Sequence, residues 1–370
     1  MAPIRVFIVD DSASARRALS DLLGGDPGIV VVGTATDPFD AASKMRAELP
    51  DVLLLDLELP RMDGLTFLRK IMAQHPLPVI ICSSHTESGS RAALKALEIG
   101  ACDVIGKPDL STRAAREEAQ VLLCDVVRAA AQIRSRTGPG RNAGRGGKTA
   151  GPFSAGPKLT ADAMLPPLLP GHRAPANMQR MIAIGASTGG TEALARLLPG
   201  LAPDMPPVVI VQHMPEKFTT AFAARLDGLC SVQVREARNG DRAEVGTVLV
   251  APGNRHLLVQ RQGRGYRIEI REGPQVSRHR PSVDVLFRSV ASASGGAAIG
   301  CLMTGMGDDG ARGLSEMRGV GARTLIQDEA SSVVWGMPGE AHKLGAAEQI
   351  VPLNRLAVEL RRLSFEKGAA

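Results

Sequence analysis

The chain reads as an α/β protein of two domains, an N-terminal doubly wound sheet and a C-terminal unit whose sheet is also mostly parallel. Three observations predict this. Its 370 residues exceed what one hydrophobic core usually organises. Each half alternates short β-rich runs with amphipathic stretches. A Gly-, Pro- and Arg-rich segment with no sustained period lies between the halves. With one Trp, one Tyr and eight Phe, the cores must be built from Ala, Val, Leu and Ile, a composition that suits α/β layers.

In chain order, Ile4–Val9, Val30–Gly33, Val52–Leu55, Val79–Cys82 and a weaker run ending near Ile105 read as strands, with helices such as Ala15–Leu23 and Arg91–Glu98 between them. Five β/α units of this kind make a first domain over residues 1–134. Residues 135–178, which run from Gly138-Pro-Gly through Pro166-Pro-Leu-Leu-Pro170, read as a flexible basic linker. The second domain, 179–370, opens with a strand at Met181–Ile184, a helix at Thr191–Leu198 and a buried strand at Val208–Val211. A hairpin is expected next, pairing Val248–Val250 with Leu257–Val259 around Ala251-Pro-Gly-Asn254. A strand at Ala298–Met303, a helix after Gly310 and a strand at Arg323–Ile326 follow. The halves show no internal repeat.

The net charge of +6 raises the question of nucleic acid. From Arg134 to Arg180, however, there are eight Lys/Arg and one Asp, and outside that segment 36 basic residues face 37 acidic ones. The excess is linker charge, and no DNA-reading helix stands out, so nucleic-acid binding is not expected. Five scattered cysteines, none in a C-x-x-C pair, fit a reducing compartment and argue against a disulfide framework or a zinc site. The opening apolar run breaks at Asp10, too soon for a signal peptide, and no apolar stretch approaches the roughly 20 residues of a membrane span. A cytoplasmic location without membrane insertion is expected.

Asp10 and Asp11 end the first strand, Asp56 the third and Ser83 the fourth, and Lys107-Pro108 follows the fifth, so all lie on one edge of the sheet. Alone, Asp10-Asp11 is an ordinary strand end or helix cap, Asp56 a turn residue and Lys107 a solvated side chain. Together they have a chemistry. Three converging carboxylates repel unless a hard divalent cation neutralises them, and Mg²⁺ with oxygen ligands fits. A carboxylate beside that ion can attack a phosphoryl group while the Lys ammonium and Ser hydroxyl take up charge. The arrangement resembles the response-regulator receiver domain, a flavodoxin-like fold. The resemblance implies phosphorylation of Asp56 by a histidine kinase, Mg²⁺ held by Asp10, Asp11, Asp56 and the Glu58 carbonyl, and Ser83 and Lys107 as switch residues. Val104 stands where many receivers carry an aromatic switch residue, which implies a different conformational relay.

In the second domain, Gly185-Ala-Ser187-Thr-Gly189-Gly190 lies between a strand and a helix, and its small residues allow a sharp turn that lifts the Ser187 hydroxyl above the sheet edge. A phosphate loop is the competing reading, but the Walker Lys and the G-x-G-x-x-G spacing are missing; a structural tight turn is another. A serine nucleophile needs a base. His213, in Gln212-His-Met-Pro215 after an apolar strand, is the candidate, with His256 and His279 as rivals. The base needs an orienting acid, and Asp308 or Asp309 in Thr304-Gly-Met-Gly-Asp-Asp309-Gly could serve.

These motifs, in the order Ser, His, Asp and together with Arg280-Pro-Ser-Val-Asp284, resemble the catalytic domain of the chemotaxis protein-glutamate methylesterases over roughly residues 180 to 365. The resemblance implies Ser187 as nucleophile, His213 as base and Asp309 as acid, with Thr188 and the Met306 amide beside the oxyanion site. It implies no cofactor for the ester chemistry. It further implies hydrolysis of glutamate methyl esters, and deamidation of glutamines, on methyl-accepting chemotaxis receptors, gated by the phosphorylated receiver. A C-terminal domain that only binds a partner or nucleic acid is the alternative, disfavoured by its near-neutral charge.

Overall fold

A computed structural model describes residues 2–83, 87–137, 158–169, 171–172, 175 and 178–366, with backbone only for 87–89 and 134–137. The chain forms two compact units, residues 1–157 and 158–370. The first contains β1 (Ile4–Val9), α1 (Ala13–Gly24), β2 (Ile29–Ala35), α2 (Pro38–Met45), β3 (Val52–Leu55), α3 (Gly64–Gln74), β4 (Val79–Ser83), α4 (Glu87–Ile99), β5 (Asp103–Gly106) and α5 (Arg113–Thr137). Its five strands lie parallel in the order β2-β1-β3-β4-β5. Helices start where short polar side chains accept from first-turn amides. Ser12 caps α1, Asp37 caps α2 ahead of Pro38, and Asp63 caps α3. Val6, Ile8, Leu54 and Ile80 meet Leu19, Leu23, Leu123 and Val127 in an aliphatic core.

The second unit contains β6 (Met181–Ala186), α6 (Gly190–Leu197), β7 (Val208–Gln212), α7 (Glu216–Asp227), β8 (Gln233–Glu236), β9 (Arg242–Ala243), β10 (Thr247–Val250), β11 (His256–Gln262) and β12 (Gly265–Arg271). It continues with α8 (Val283–Ser294), β13 (Ala298–Leu302), α9 (Ala311–Gly319), β14 (Arg323–Gln327), α10 (Met337–Lys343), β15 (Gln349–Val351) and α11 (Leu353–Phe365). Seven parallel strands run β15-β14-β13-β6-β7-β10-β8. Strand order reverses at β6, and loops at the carboxyl ends beside such a reversal form the binding crevice of open α/β sheets. Ala183, Val209, Val211 and Leu249 pack against Leu286, Phe287 and Val290 of α8.

The hairpin expected around Ala251-Pro-Gly-Asn254 does not form. β10 inserts in parallel between β7 and β8, and β11 pairs antiparallel with β12 around Gly263. Val248–Val250 is buried, as a central parallel strand must be. Gly253 explains the tight exit, because a Cβ there would lie 2.4 Å from Glu216 Cα.

The linker boundaries also shift. α5 continues to Thr137, and the second unit begins at Lys158. The linker residues 138–157 lie outside the described residues. Residues 158–165, however, are strapped to the second unit: Ala161 packs with Leu258, Val276 and Val285, with Met164 and Leu165 beside them. Arg288 on α8 donates to Asp162 at 2.5 Å and to the Leu165 carbonyl at 3.1 Å while holding Glu316 of α9 at 2.8 and 2.5 Å. Composition concealed this, because the residues that hold the strap lie roughly a hundred positions or more away. Arg288→Ala is expected to cost the second unit on the order of 2 kcal/mol and to open residues 158–165 to protease. Unchanged melting and cleavage would show that the strap does not depend on Arg288.

Candidate functional site

In the first unit, Asp10 and Asp56 are each 1% exposed at the ends of β1 and β3, and Asp11 is exposed beside them. Lys107 Nζ lies 2.6 Å from Asp56 Oδ2 and 3.0 Å from Asp10 Oδ2. Asp56 Oδ1 accepts from the Glu58 amide at 3.2 Å, and the Lys107 amide donates to the carbonyl of buried Ser83 at 3.0 Å. Burial pushes the Asp56 carboxyl above its ordinary range, against the Lys107 hydrogen bond. Burial works against the Lys107 ammonium, but its hydrogen bonds to Asp56 and Asp10 hold it above its usual value. One oxygen each from Asp10, Asp11 and Asp56 falls within 4.8 Å of the others, and the buried Asp10 Oδ2 faces the Lys107 ammonium. This all-oxygen set fits a hard divalent cation. Val104 is buried in β5, opposite Ile81.

In the second unit, three adjacent strands carry the three motifs: Ser187 follows β6, His213 follows β7, and Asp309 lies beyond β13. Ala186 and Gln212 are register partners, so Ser187 and His213 leave the sheet side by side. The Ser187 backbone is held on both sides. Its amide donates to Thr304 O at 3.0 Å, and its carbonyl accepts from Gly190 N at 2.7 Å and Gln212 Nε2 at 2.9 Å. Gly189 is left-handed at φ +76°, and a Cβ there would strike Val333 at 2.5 Å, so the turn requires glycine. Gly305 abuts the serine, since its Cβ would sit 2.7 Å from Ser187 Cβ; this brings the chain at Met306 beside Ser187. The Gly305 amide donates to Val334 O at 3.0 Å, and Trp335 next along donates its indole N–H to Gln327 O at 2.9 Å. Thr188 is buried, its carbonyl accepting from Thr304 Oγ1 at 3.0 Å.

His213 Nε2 lies 2.9 Å from Asp309 Oδ2. A carboxylate only accepts, so Nε2 carries the proton and the lone pair falls on Nδ1, which is buried with no hydrogen bond. Burial lowers the imidazole pKa below 6.5, so His213 is neutral at pH 7 and its Nδ1 lone pair is open to accept a proton. No hydrogen bond joins Ser187 Oγ to His213 among the described residues; such bonds often tighten only when substrate is bound.

Asp309 is held by more than the histidine. It accepts from Ser282 Oγ at 2.8 Å, Val283 N at 2.8 Å and Asp284 N at 3.0 Å, all at the start of α8. Asp284 returns the arrangement, accepting from Gly310 N at 3.0 Å and Gly313 N at 2.8 Å at the start of α9. Each helix N-terminus thus binds the acid that precedes or opens the other helix. Burial, then the Asp309 charge, pushes Asp284 up to about 7.

The rival residues separate by their partners. His256 is fully buried; its Nε2 donates to Pro274 O at 2.9 Å and its Nδ1 accepts from Ser282 N at 3.2 Å, so it braces the Asp309 cradle. Asp308 is 46% exposed and pairs with Lys158 of the strap. His279 stacks on His213, with centroids 3.7 Å apart and planes 5° from parallel. His213, His279 and Asp309 lie close enough together to suggest a metal centre, but lone pairs in two parallel ring planes cannot converge on one ion. Sequence reasoning gave no role to Ser282, Val283 and Asp284. Ser282 before the apolar run from Val283 was a helix-start signal.

Fold and site together define a hydrolase that carries a receiver domain. Residues 6–116 match the response regulator receiver domain family, and residues 182–360 match the CheB methylesterase family. A Rhodospirillum rubrum protein named protein-glutamate methylesterase/protein-glutamine glutaminase 2 is 56% identical over 97% of this chain and 98% of its own. An Anaeromyxobacter dehalogenans protein, numbered 5 under the same name, is 56% identical over 98% and 97% of the two chains. Among solved structures, the Thermotoga maritima CheB methylesterase catalytic domain is 32% identical, covering 50% of this chain and 98% of that domain at a TM-score of 0.49. The chain belongs to the protein-glutamate methylesterase/protein-glutamine glutaminase family of chemotaxis hydrolases. No described helix is long and apolar enough to cross a membrane.

Proposed function

We propose that the enzyme hydrolyses glutamate γ-methyl esters on methyl-accepting chemotaxis receptors from the cytoplasmic side. Ser187 Oγ attacks the ester carbonyl as His213 Nδ1 takes its proton, and the oxyanion forms beside Thr188 and the Met306 amide. The protonated histidine returns the proton to the departing methoxide, and methanol leaves. Water, activated by the same imidazole, then releases glutamate and regenerates Ser187. With a glutamine substrate the leaving group is ammonia and the net reaction is deamidation. The observation that carries this reading is the His213–Asp309 bond of 2.9 Å on the strand next to Ser187.

The receiver supplies the control. A histidine kinase donates a phosphoryl group to Asp56, and Lys107 and Ser83 take up the charge on its oxygens. Mg²⁺, held by Asp10, Asp11, Asp56 and the Glu58 carbonyl, supplies charge neutralisation there when bound. Phosphorylation then relieves a restriction on access to Ser187.

Methanol release from methyl-labelled receptor membranes tests both parts. Full-length protein with a small-molecule phosphodonor and Mg²⁺ is expected to exceed its unphosphorylated rate by about 5- to 150-fold, the usual span of coupling between two sites. Asp56→Asn keeps the basal rate and loses the stimulation. A fragment that begins at Lys158, and so retains the strap, should outpace unphosphorylated full-length protein; equal rates would count against gating by occlusion. No release under any condition would overturn the esterase reading.

A further inference from the structure

We propose that His279 is a positioning residue for the reaction, holding the plane of the His213 imidazole through their parallel stack. This rests on the Ser187–His213–Asp309 reading above. His213 is tethered at one end only, through Nε2 to Asp309. One hydrogen bond leaves the ring free to swing about that contact, and a swing carries Nδ1 away from Ser187. A ring lying 3.7 Å off its face, 5° from parallel, removes that freedom.

The stack also has an electrostatic consequence. Aromatic pairs ordinarily prefer offset or edge-on contacts to overlap face to face. Here His213 becomes a cation once it takes the serine proton, and a neutral ring face attracts a cation. Burial, then the neighbouring His213, keeps His279 neutral at pH 7. The contact therefore strengthens as the reaction proceeds.

His279 is itself rigidly placed. Its Nδ1 donates to Ser277 O at 2.8 Å, and its backbone exchanges hydrogen bonds with Val276 at 2.9 and 3.1 Å. Ser277 and Arg278 before it are left-handed, at φ +52° and +67°, a conformation that side-chain-bearing residues keep only where the surroundings over-determine it. Those surroundings are visible. The Ser277 amide donates to Leu159 O of the strap at 2.9 Å, and its hydroxyl to Asp284 Oδ2 at 2.9 Å. The charged and titratable groups around His213 are Asp309 at its edge, His279 on its face, Asp284 behind Asp309, and Lys158 on the strap, paired with Asp308.

The test uses the full chain with phosphodonor and Mg²⁺, measuring methanol release from methyl-labelled receptor membranes across pH. His279→Ala is expected to lose on the order of 10- to 100-fold in kcat with KM little changed. His279→Phe, which restores a flat ring, recovers most of it. The acid limb of kcat/KM moves to higher pH in His279→Ala, because burial is what depresses the His213 pKa and water admitted to it solvates the imidazolium more strongly than the ring face it replaces. If His279→Ala fails to fold, His279→Asn, which keeps a donor for Ser277 O but has no ring, replaces it in the comparison with His279→Phe. A ring-less variant within about twofold of wild type would overturn the proposal. So would equal losses in the ring-less and Phe variants with an unmoved acid limb, which is the signature of packing alone. Ser187→Ala in the same assay separates the two levels: if it retains activity, the triad reading fails whatever His279 does.

Discussion

Ser187→Ala gives a folded protein whose methanol release falls by roughly 10⁴-fold or more, with kcat taking the loss. The geometry separates chemistry from stability at this residue. Its amide and carbonyl are held by Thr304, Gly190 and Gln212, whereas its hydroxyl makes no hydrogen bond among the described residues. Removing that oxygen takes away the proposed nucleophile and no support. The melting temperature should stay within what about 0.5 kcal/mol produces, and phosphodonor should still label Asp56 in the other unit. A variant that retains a substantial rate would mean that another group attacks the ester.

Asp309→Asn reaches nearly as far in rate and further in stability. Asp309 accepts four hydrogen bonds, two on each oxygen: Ser282 Oγ and Asp284 N on one, Val283 N and His213 Nε2 on the other. An amide cannot serve all four. With its NH₂ toward His213, the imidazole must turn its lone pair to Nε2 and place its proton on Nδ1, the wrong tautomer for taking a proton from serine. The reverse orientation sets NH₂ against the Asp284 amide. A loss on the order of 10⁴ in kcat is expected, the size seen when a triad acid of this type becomes an amide. It comes with about 1–3 kcal/mol of destabilisation from donors left unsatisfied. Asp308→Asn is the control. It removes only the half-exposed pair with Lys158 and should change stability by less than about 1 kcal/mol. Similar rates for the two variants would remove Asp309 from its special position.

Much of this arrangement is legible in the sequence alone, for a physical reason. In parallel sheets the chemistry gathers at strand ends, and the strands announce themselves as buried apolar runs, so Asp10, Asp56, Lys107, Ser187 and His213 could each be assigned to one edge. The errors came where local signals agree with two folds. Val248–Val250, a Pro-Gly turn and Leu257–Val259 satisfy every short-range criterion for a hairpin; only the vacancy between β7 and β8, a long-range fact, assigns β10 elsewhere. The strap at 158–165 was missed because its Gly/Pro-rich neighbours set the composition, while its order comes from Arg288, Arg271 and Ser277. His279 was weighed as a base because periodicity and spacing say nothing about stacking.

The chain has a single tryptophan, and it stands on the wall beside Ser187. Trp335 pairs through its backbone with Gly305, the residue pressed against the serine, and its half-buried indole is bonded to Gln327. The receiver has no indole of its own. Emission excited at the red edge of the absorption band therefore comes entirely from the second unit, next to Ser187. A spectral change on adding phosphodonor that Asp56→Asn abolishes would report, with no label attached, communication from the proposed phosphorylation site to the second unit.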